Sequence, residues 1–434
     1  MFDLPTRRTW SHLGMAAVMP LLVACTGFAP HRSDVGATCP LTIDGKPSAP
    51  GCEQAAMEKS PVFDLAVVEL TDQGWLHSRQ QFDNALALAQ PRDNDTREVQ
   101  LILFVHGWQH SGDFDDRDIM KFREVILPSF AQGGRSRGLR TVGIYVGWRG
   151  KSIALEGVNN VTFYDRKATA EHVARGSIRE LISQLRARHE GSPGLPRARV
   201  TLIGHSFGGL IVYNAIAESL LDTLVRSPQG QPARPIVDLA LVLNPAFEAS
   251  RFEPLFQAAL LRQGPAEGGR PIFASITSSD DSATRLAFPI GRTVNSLFDH
   301  EGWVEADLCP DRSLPSEPPR RPWDECRGIP RGLRLEKMAN THTIGHLPRY
   351  ATHVLAKATD GGVDCRELGE SPTAADEAPV NRPAAPPPRN RFPLWTMRTG
   401  AEVIEGHSGI YRPELWQFLA RLADPRNDGD ALCR

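Results

Sequence analysis

The chain has 434 residues, 41% of them apolar and 23% charged, enough to bury a substantial core and unlike a disordered protein. Its 49 basic and 51 acidic side chains leave a formal net charge of −2, so no basic excess exists to hold a phosphate backbone. Nucleic acid is therefore not an expected partner, and the length admits one large domain or two ordinary ones.

The first 25 residues read as a separate unit. Arg7 and Arg8 form a positive segment, Leu13 to Ala24 an apolar one interrupted by Pro20, and Leu22-Val23-Ala24-Cys25 closes it. This run is too short to span a bilayer and has the layout of a signal peptide. Its last four residues resemble the lipobox of bacterial lipoproteins, whose cysteine is acylated and becomes the mature N-terminus. That resemblance implies lipidation at Cys25 and a protein of the bacterial cell envelope, anchored to a membrane and facing the periplasm. An ordinary cleaved signal with an incidental Cys25 is the alternative, and the arginine pair also has a weak likeness to a twin-arginine signal.

Six further cysteines remain: Cys39, Cys52, Cys309, Cys326, Cys365 and Cys433. An even number in an exported chain favours disulfides, and pairing near neighbours gives Cys39–Cys52 and Cys309–Cys326, leaving Cys365 to reach Cys433. Residues 26–60, rich in Pro, Gly and small polar side chains, are expected to form a tether and a small disulfide-closed loop. The globular part is expected from residue 61 onward.

Strand-like runs follow at Val62 to Leu70, Val99 to Val105, Thr141 to Val146, Val200 to Ile203, Ile236 to Leu243 and Ile272 to Ile276. Helical spacing lies between them, at Ile119 to Phe130, Ala168 to His189 and Leu210 to Leu221. Such alternation predicts an α/β fold, a doubly wound and mostly parallel sheet with helices on both faces. Beyond about residue 290 the texture changes. Pro and Arg crowd 310–332, Pro and Ala crowd 371–393, and regular structure returns at Leu394 to Ile404 and in a helix from Pro413 to Leu422. Residues 291–393 are thus expected to be a long irregular insertion before the last strand.

One motif carries chemistry. Gly204-His205-Ser206-Phe207-Gly208-Gly209 follows an apolar strand and precedes an apolar helix. A nucleophile on a strained strand-to-helix turn needs neighbours without bulk, which Gly204 and Gly208 supply. A serine hydroxyl also needs a base, and the base an orienting acid. Two aspartates, Asp280 and Asp281, lie just past the run ending at Ile276, and His407 lies in Gly406-His407-Ser408-Gly409 before the last helix. His342, His346 and His353 are rival bases. Phe104-Val105-His106-Gly107-Trp108 leaves an earlier strand by a tight turn.

Together these motifs resemble the α/β-hydrolase superfamily on its esterase and lipase side, over roughly 62–290 and 394–425. The resemblance implies Ser206 as nucleophile, His407 as base and Asp281 as acid, with Asp280 left open. It implies an oxyanion hole from the main-chain N–H groups of Phe207 and Trp108. The expected activity is hydrolysis of a carboxylic ester, on a small-molecule or lipid substrate. Lipase or phospholipase action, acyl transfer to an acceptor other than water, and a non-catalytic envelope protein are the alternatives. No cofactor is expected, and no metal. Asp113, Asp115, Asp116 and Asp118 lack the spacing of a calcium loop and read as solvated, helix-capping acids. Trp148, Arg149 and Tyr164 are candidates either for a pocket wall or for packing.

Overall fold

A computed structural model of the chain describes residues 29–90, 97–150, 163–191, 197–227, 235–261, 269–289, 339–347, 350–368, 392–427 and 429–433. Cys25, Cys309, Cys326 and most of the expected insertion lie outside them, as does the side chain of Tyr164.

The apolar runs assemble into one mixed, mostly parallel sheet of eleven strands in the order β1-β2-β3-β5-β4-β6-β7-β8-β11-β9-β10. Its centre consists of β3 (Phe63–Leu70), β4 (Val99–Val105), β5 (Arg140–Trp148), β6 (Arg199–His205), β7 (Leu239–Leu243), β8 (Phe273–Ser278) and β11 (Leu394–Thr399), all parallel. These strands are apolar over most of their length because helices cover both faces. One face packs on α1 (Arg79–Leu88), α4 (Phe163–Arg175), α5 (Ile178–Glu190) and α6 (Phe207–Arg226). The other packs on a helix over residues 117–135, made of α2 (Arg117–Lys121), a π turn (Phe122–Ile126) and α3 (Leu127–Arg135), and on α8 (Pro413–Leu422), while α7 (Glu253–Leu261) packs beside α6 on the first face. The α6 helix is apolar and long enough to cross a membrane, but here it is a core helix against β6 and β7.

Three sequence expectations are corrected. The run Ala168 to His189 is two helices broken at Gly176, because the 71–75 turn packs there. A Cβ on Gly176 would stand 2.2 Å from the carbonyl oxygen of Gly74. Residues 34–59 are not a tether: β1 (Asp34–Pro40) and β2 (Ala55–Lys59) extend the sheet beyond β3, with β2 antiparallel to it. The insertion is not wholly irregular either. β9 (His353–Lys357) and β10 (Val363–Glu367) extend the opposite edge beside β11. Cys39–Cys52 and Cys365–Cys433 are bonded, as near-neighbour pairing anticipated, and each ties one of these added edges to its surroundings.

Buried charge holds the first edge. The Arg32 guanidinium is fully buried and donates to Gly112 O (2.8 Å) and Ala55 O (2.9 Å), and pairs with Glu58 (2.9 Å), which also faces Arg123 at 3.3 Å. The main-chain N–H groups of His31 and Arg32 donate to the two carboxylate oxygens of Glu69, each at 2.9 Å. Removing one partner of such a pair strands the other charge without water. Arg32→Ala is therefore expected to cost about 3–5 kcal/mol of stability in urea titrations. A loss under about 1 kcal/mol would show that these charges do not hold the edge.

Candidate active site

The site grows from the end of β6. Ser206 follows its last residue and adopts φ 54°, ψ −118°, a backbone conformation that costs a residue with a side chain free energy. Close packing fixes it there. A Cβ on Gly204 would lie 2.4 Å from Gly208 O, and one on Gly208 would lie 2.0 Å from Val105 O. The second of these contacts is to β4, so Gly208 is required by the neighbouring strand as much as by the turn itself. Ser206 N donates to Leu243 O (3.0 Å), and Ala246 N donates to Ser206 O (3.2 Å), which locks the turn to the end of β7. The side chain is thus held at the carboxyl end of the sheet, where the parallel strands open their loops.

His407 meets it from a distant part of the chain. Its Nε2 lies 2.7 Å from Ser206 Oγ, and its Nδ1 lies 2.7 Å from Asp281 Oδ2. A carboxylate can only accept, so Nδ1 carries the proton and Nε2 is free to receive one from the hydroxyl. The imidazole keeps 24% of its side-chain surface exposed, whereas Asp281 is fully buried. His407 stands on a tight loop closed between Glu405 and Gly409.

The two aspartates left open by the sequence divide the work. Asp281 takes the imidazole, while Asp280 accepts from the main-chain N–H of Gly406 at 2.9 Å. Asp281 also accepts from Ala283 N (2.9 Å), Thr284 N (3.2 Å) and Thr284 Oγ1 (2.5 Å). Burial by itself raises this carboxyl, but the His407 hydrogen bond and charge and the Thr284 donors outweigh it and hold it below the ordinary carboxylate range. Of the rival bases, His346 sits behind the acid, its Nε2 2.9 Å from Thr284 Oγ1. Because Thr284 donates its proton to Asp281, the His346 Nε2 must donate to Thr284, and burial pushes this imidazole down to about 4, keeping it neutral.

Three positioning side chains were not legible in the sequence. Asn244, fully buried at φ 42°, donates Nδ2 to His407 O (2.8 Å) and accepts from Ser278 N (2.9 Å). One amide thereby ties the His407 loop to the strand that leads to Asp281. His205 Nε2 donates to the same His407 carbonyl at 3.0 Å. The third is Asp118, only 1% exposed, with a carboxylate oxygen 3.8 Å from His205 Nδ1. This corrects the reading of its acidic loop as wholly solvated. Asp116 does cap α2, through a bond from Asp118 N of 2.9 Å, but Asp118 itself turns inward. His110, Asp116 and Asp118 have the donor types of a cation site. Both ring nitrogens of His110 already face those carboxylates, at 2.8 Å and 3.3 Å, so the imidazole itself serves as their counter-charge when protonated.

The loop after β4 closes the other side. His106 is stacked between Tyr145 and Trp148 at 5.6 and 5.5 Å, its Nε2 accepts from Trp148 N (3.0 Å), and its carbonyl accepts from Trp148 Nε1 (3.0 Å). Its Nδ1 therefore donates to Gly107 O at 2.9 Å, and burial lowers its pKa to about 4. Trp148 is thus a packing residue, while Arg149 pairs with Asp72. A Cβ on Gly107 would stand 2.9 Å from Ser206 Cβ, which brings the loop carrying Trp108 directly against the serine. Phe207, the other expected oxyanion donor, is the first residue of α6.

Asp281 gives a pH prediction. Its folded pKa lies below its unfolded value near ~4, so its contribution to stability is full above that value and disappears as pH falls through the folded one. The stability gap between wild type and Asp281→Asn is expected to be widest near neutrality and to close on acidification below about pH 4, measured by urea titration at several pH values. A gap that widens in acid would show the carboxyl to be raised instead. No family model matches the chain, and no curated protein is detectably similar to it in sequence.

Proposed function

We propose that the protein is a serine hydrolase of the α/β-hydrolase type that cleaves carboxylic esters through an acyl-enzyme on Ser206. The observation that carries this reading is the unbroken line from Ser206 Oγ through His407 to Asp281, with both links 2.7 Å long. Ser206 Oγ forms a bond to the acyl carbon while His407 Nε2 takes its proton. The tetrahedral oxyanion is held by the main-chain N–H groups of Phe207 and Trp108. Its collapse breaks the bond to the ester oxygen, and His407 returns the proton to the departing alcohol. Water then repeats the sequence on the acyl-serine, releasing the acid and restoring the hydroxyl. Asp281 stays a carboxylate throughout and holds the imidazole in its Nδ1–H tautomer. An acceptor alcohol in place of water would make the same intermediate an acyl donor.

The protein is further proposed to be exported and anchored by a lipid on Cys25, as its Leu-Val-Ala-Cys segment implies. Two disulfides among the described residues suit an oxidising compartment.

Wild type is expected to label with a fluorophosphonate and to turn over p-nitrophenyl esters. Ser206→Ala should lose the label, and Ser206→Ala and His407→Ala should each lower kcat by about 10⁴-fold or more. Absence of both label and turnover in the wild type would defeat the hydrolase reading. Asn244→Ala should lower kcat by about tenfold or more with KM little changed, because the base loop loses its tie to the acid strand. Equal effects on a soluble domain's stability and on both kinetic constants would make Asn244 merely structural. Cys25→Ala should move the protein from the membrane to the soluble fraction.

A further inference from the structure

The described chain starts at the same end of the sheet as Ser206. His31 and Arg32 are bound through their main-chain N–H groups to Glu69, the next-to-last residue of β3, level with Gly147 of β5. His31 Nδ1 also lies 3.2 Å from Asp113, on the loop that follows β4. The buried Arg32 guanidinium fixes this exit point from below. In the sheet, β3 stands three strand spacings from β6, or about 14 Å. Cys25 precedes His31 by six residues, a reach of at most about 20 Å. A lipid on Cys25 would therefore hold this exit point within about 20 Å of the anchored residue.

Two large apolar side chains stand exposed at that end, one on each side of the serine. Trp75, 73% exposed, projects from the turn after β3, and Leu286, 59% exposed, lies in the π turn Ala283–Ala287 after β8. The Trp75 turn is rigid: Thr71 N donates to Trp75 O at 2.8 Å, and Gly74 packs directly on the α4–α5 junction at Gly176. A tryptophan held out on a stiff turn suits the boundary between water and hydrocarbon, where its ring is part apolar and part polar. Ile43 and Val225, also exposed, lie at the opposite end of the sheet, away from the serine.

We propose that this end of the sheet docks on a lipid bilayer, with Trp75 and Leu286 entering the headgroup region on either side of Ser206. The substrate is then a membrane-resident ester drawn from the bilayer surface. This rests on the readings of Ser206 as nucleophile and Cys25 as lipid anchor. Its basis is the joint placement of chain exit, serine and exposed apolar residues at one end of the sheet.

The test uses the full chain, acylated in a bacterial host, with Trp75→Ala/Leu286→Ser and Ile43→Ser variants. Vesicles of phosphatidylethanolamine and phosphatidylglycerol serve as the surface. The double variant is expected to keep turnover of a soluble p-nitrophenyl ester within about twofold, yet to lose about tenfold or more on an ester packed in the vesicles. Ile43→Ser should change neither rate. In the Cys25→Ala background, the double variant should also sediment less with vesicles than its parent. Unchanged vesicle turnover and sedimentation in the double variant would overturn the proposal, as would an equal loss in Ile43→Ser. Fluorophosphonate labelling and the mass of Cys25 are read in parallel. A chain that fails to label but sediments through Trp75 loses the hydrolase reading and keeps the docking face. One that lacks acylation yet shows the Trp75 effect loses only the anchor.

Discussion

The site depends on one constraint: a serine forced into positive φ by backbones packed too closely for side chains. Gly204 and Gly208 touch across the turn, and Gly208 also meets the carbonyl of Val105 in the adjacent strand. Because β4 and β6 are hydrogen-bonded neighbours, the turn cannot relax without parting the sheet. The strain at Ser206 is thereby held by the centre of the fold. The same contact draws the loop bearing His106 and Gly107 against the serine, so that loop and the serine turn share one cause.

His407 stands on a short loop closed by the Glu405–Gly409 bridge, and further ties from other elements hold it. Asn244 and His205 both donate to the His407 carbonyl, and Asp280 accepts from the preceding amide. These ties come from the ends of β7, β6 and β8. Three strands therefore aim the imidazole, while Asp281, Thr284 and His346 form a hydrogen-bonded line behind it. In such a line each member's proton is set by its neighbour, from a neutral His346 at one end to the accepting Nε2 of His407 at the other.

The two edges of the sheet show how added segments serve the centre. At one edge, Arg32, Glu58 and Glu69 bury their charges against each other and fix the path of the entering chain. At the other, β9 and β10 cover β11, the strand that leads to His407. Buried pairs of this kind give little net stability, but they exclude alternative paths of the chain. On the first edge, that determines on which side of the molecule the N-terminal segment leaves.

By itself the sequence determined the α/β class, the central strands, the serine turn and the chain order of Ser206, the aspartate pair and His407. These are readable because each is local: a hydrophobic period, a run of glycines beside a serine, a carboxylate just past a strand. It likewise pointed to His407 through position alone, and to the pairing of Cys39 with Cys52 and Cys365 with Cys433. Only the tertiary structure decided between Asp280 and Asp281, since adjacent residues of one type differ solely in what they face. It alone made strands of Asp34–Pro40 and Ala55–Lys59, because these short stretches have no core of their own and gain order from the edge of β3, through β2. The roles of Asn244, His205 and Asp118 stayed invisible for the same reason. A single polar residue has no periodicity, and its partner lies on another element up to 202 positions away.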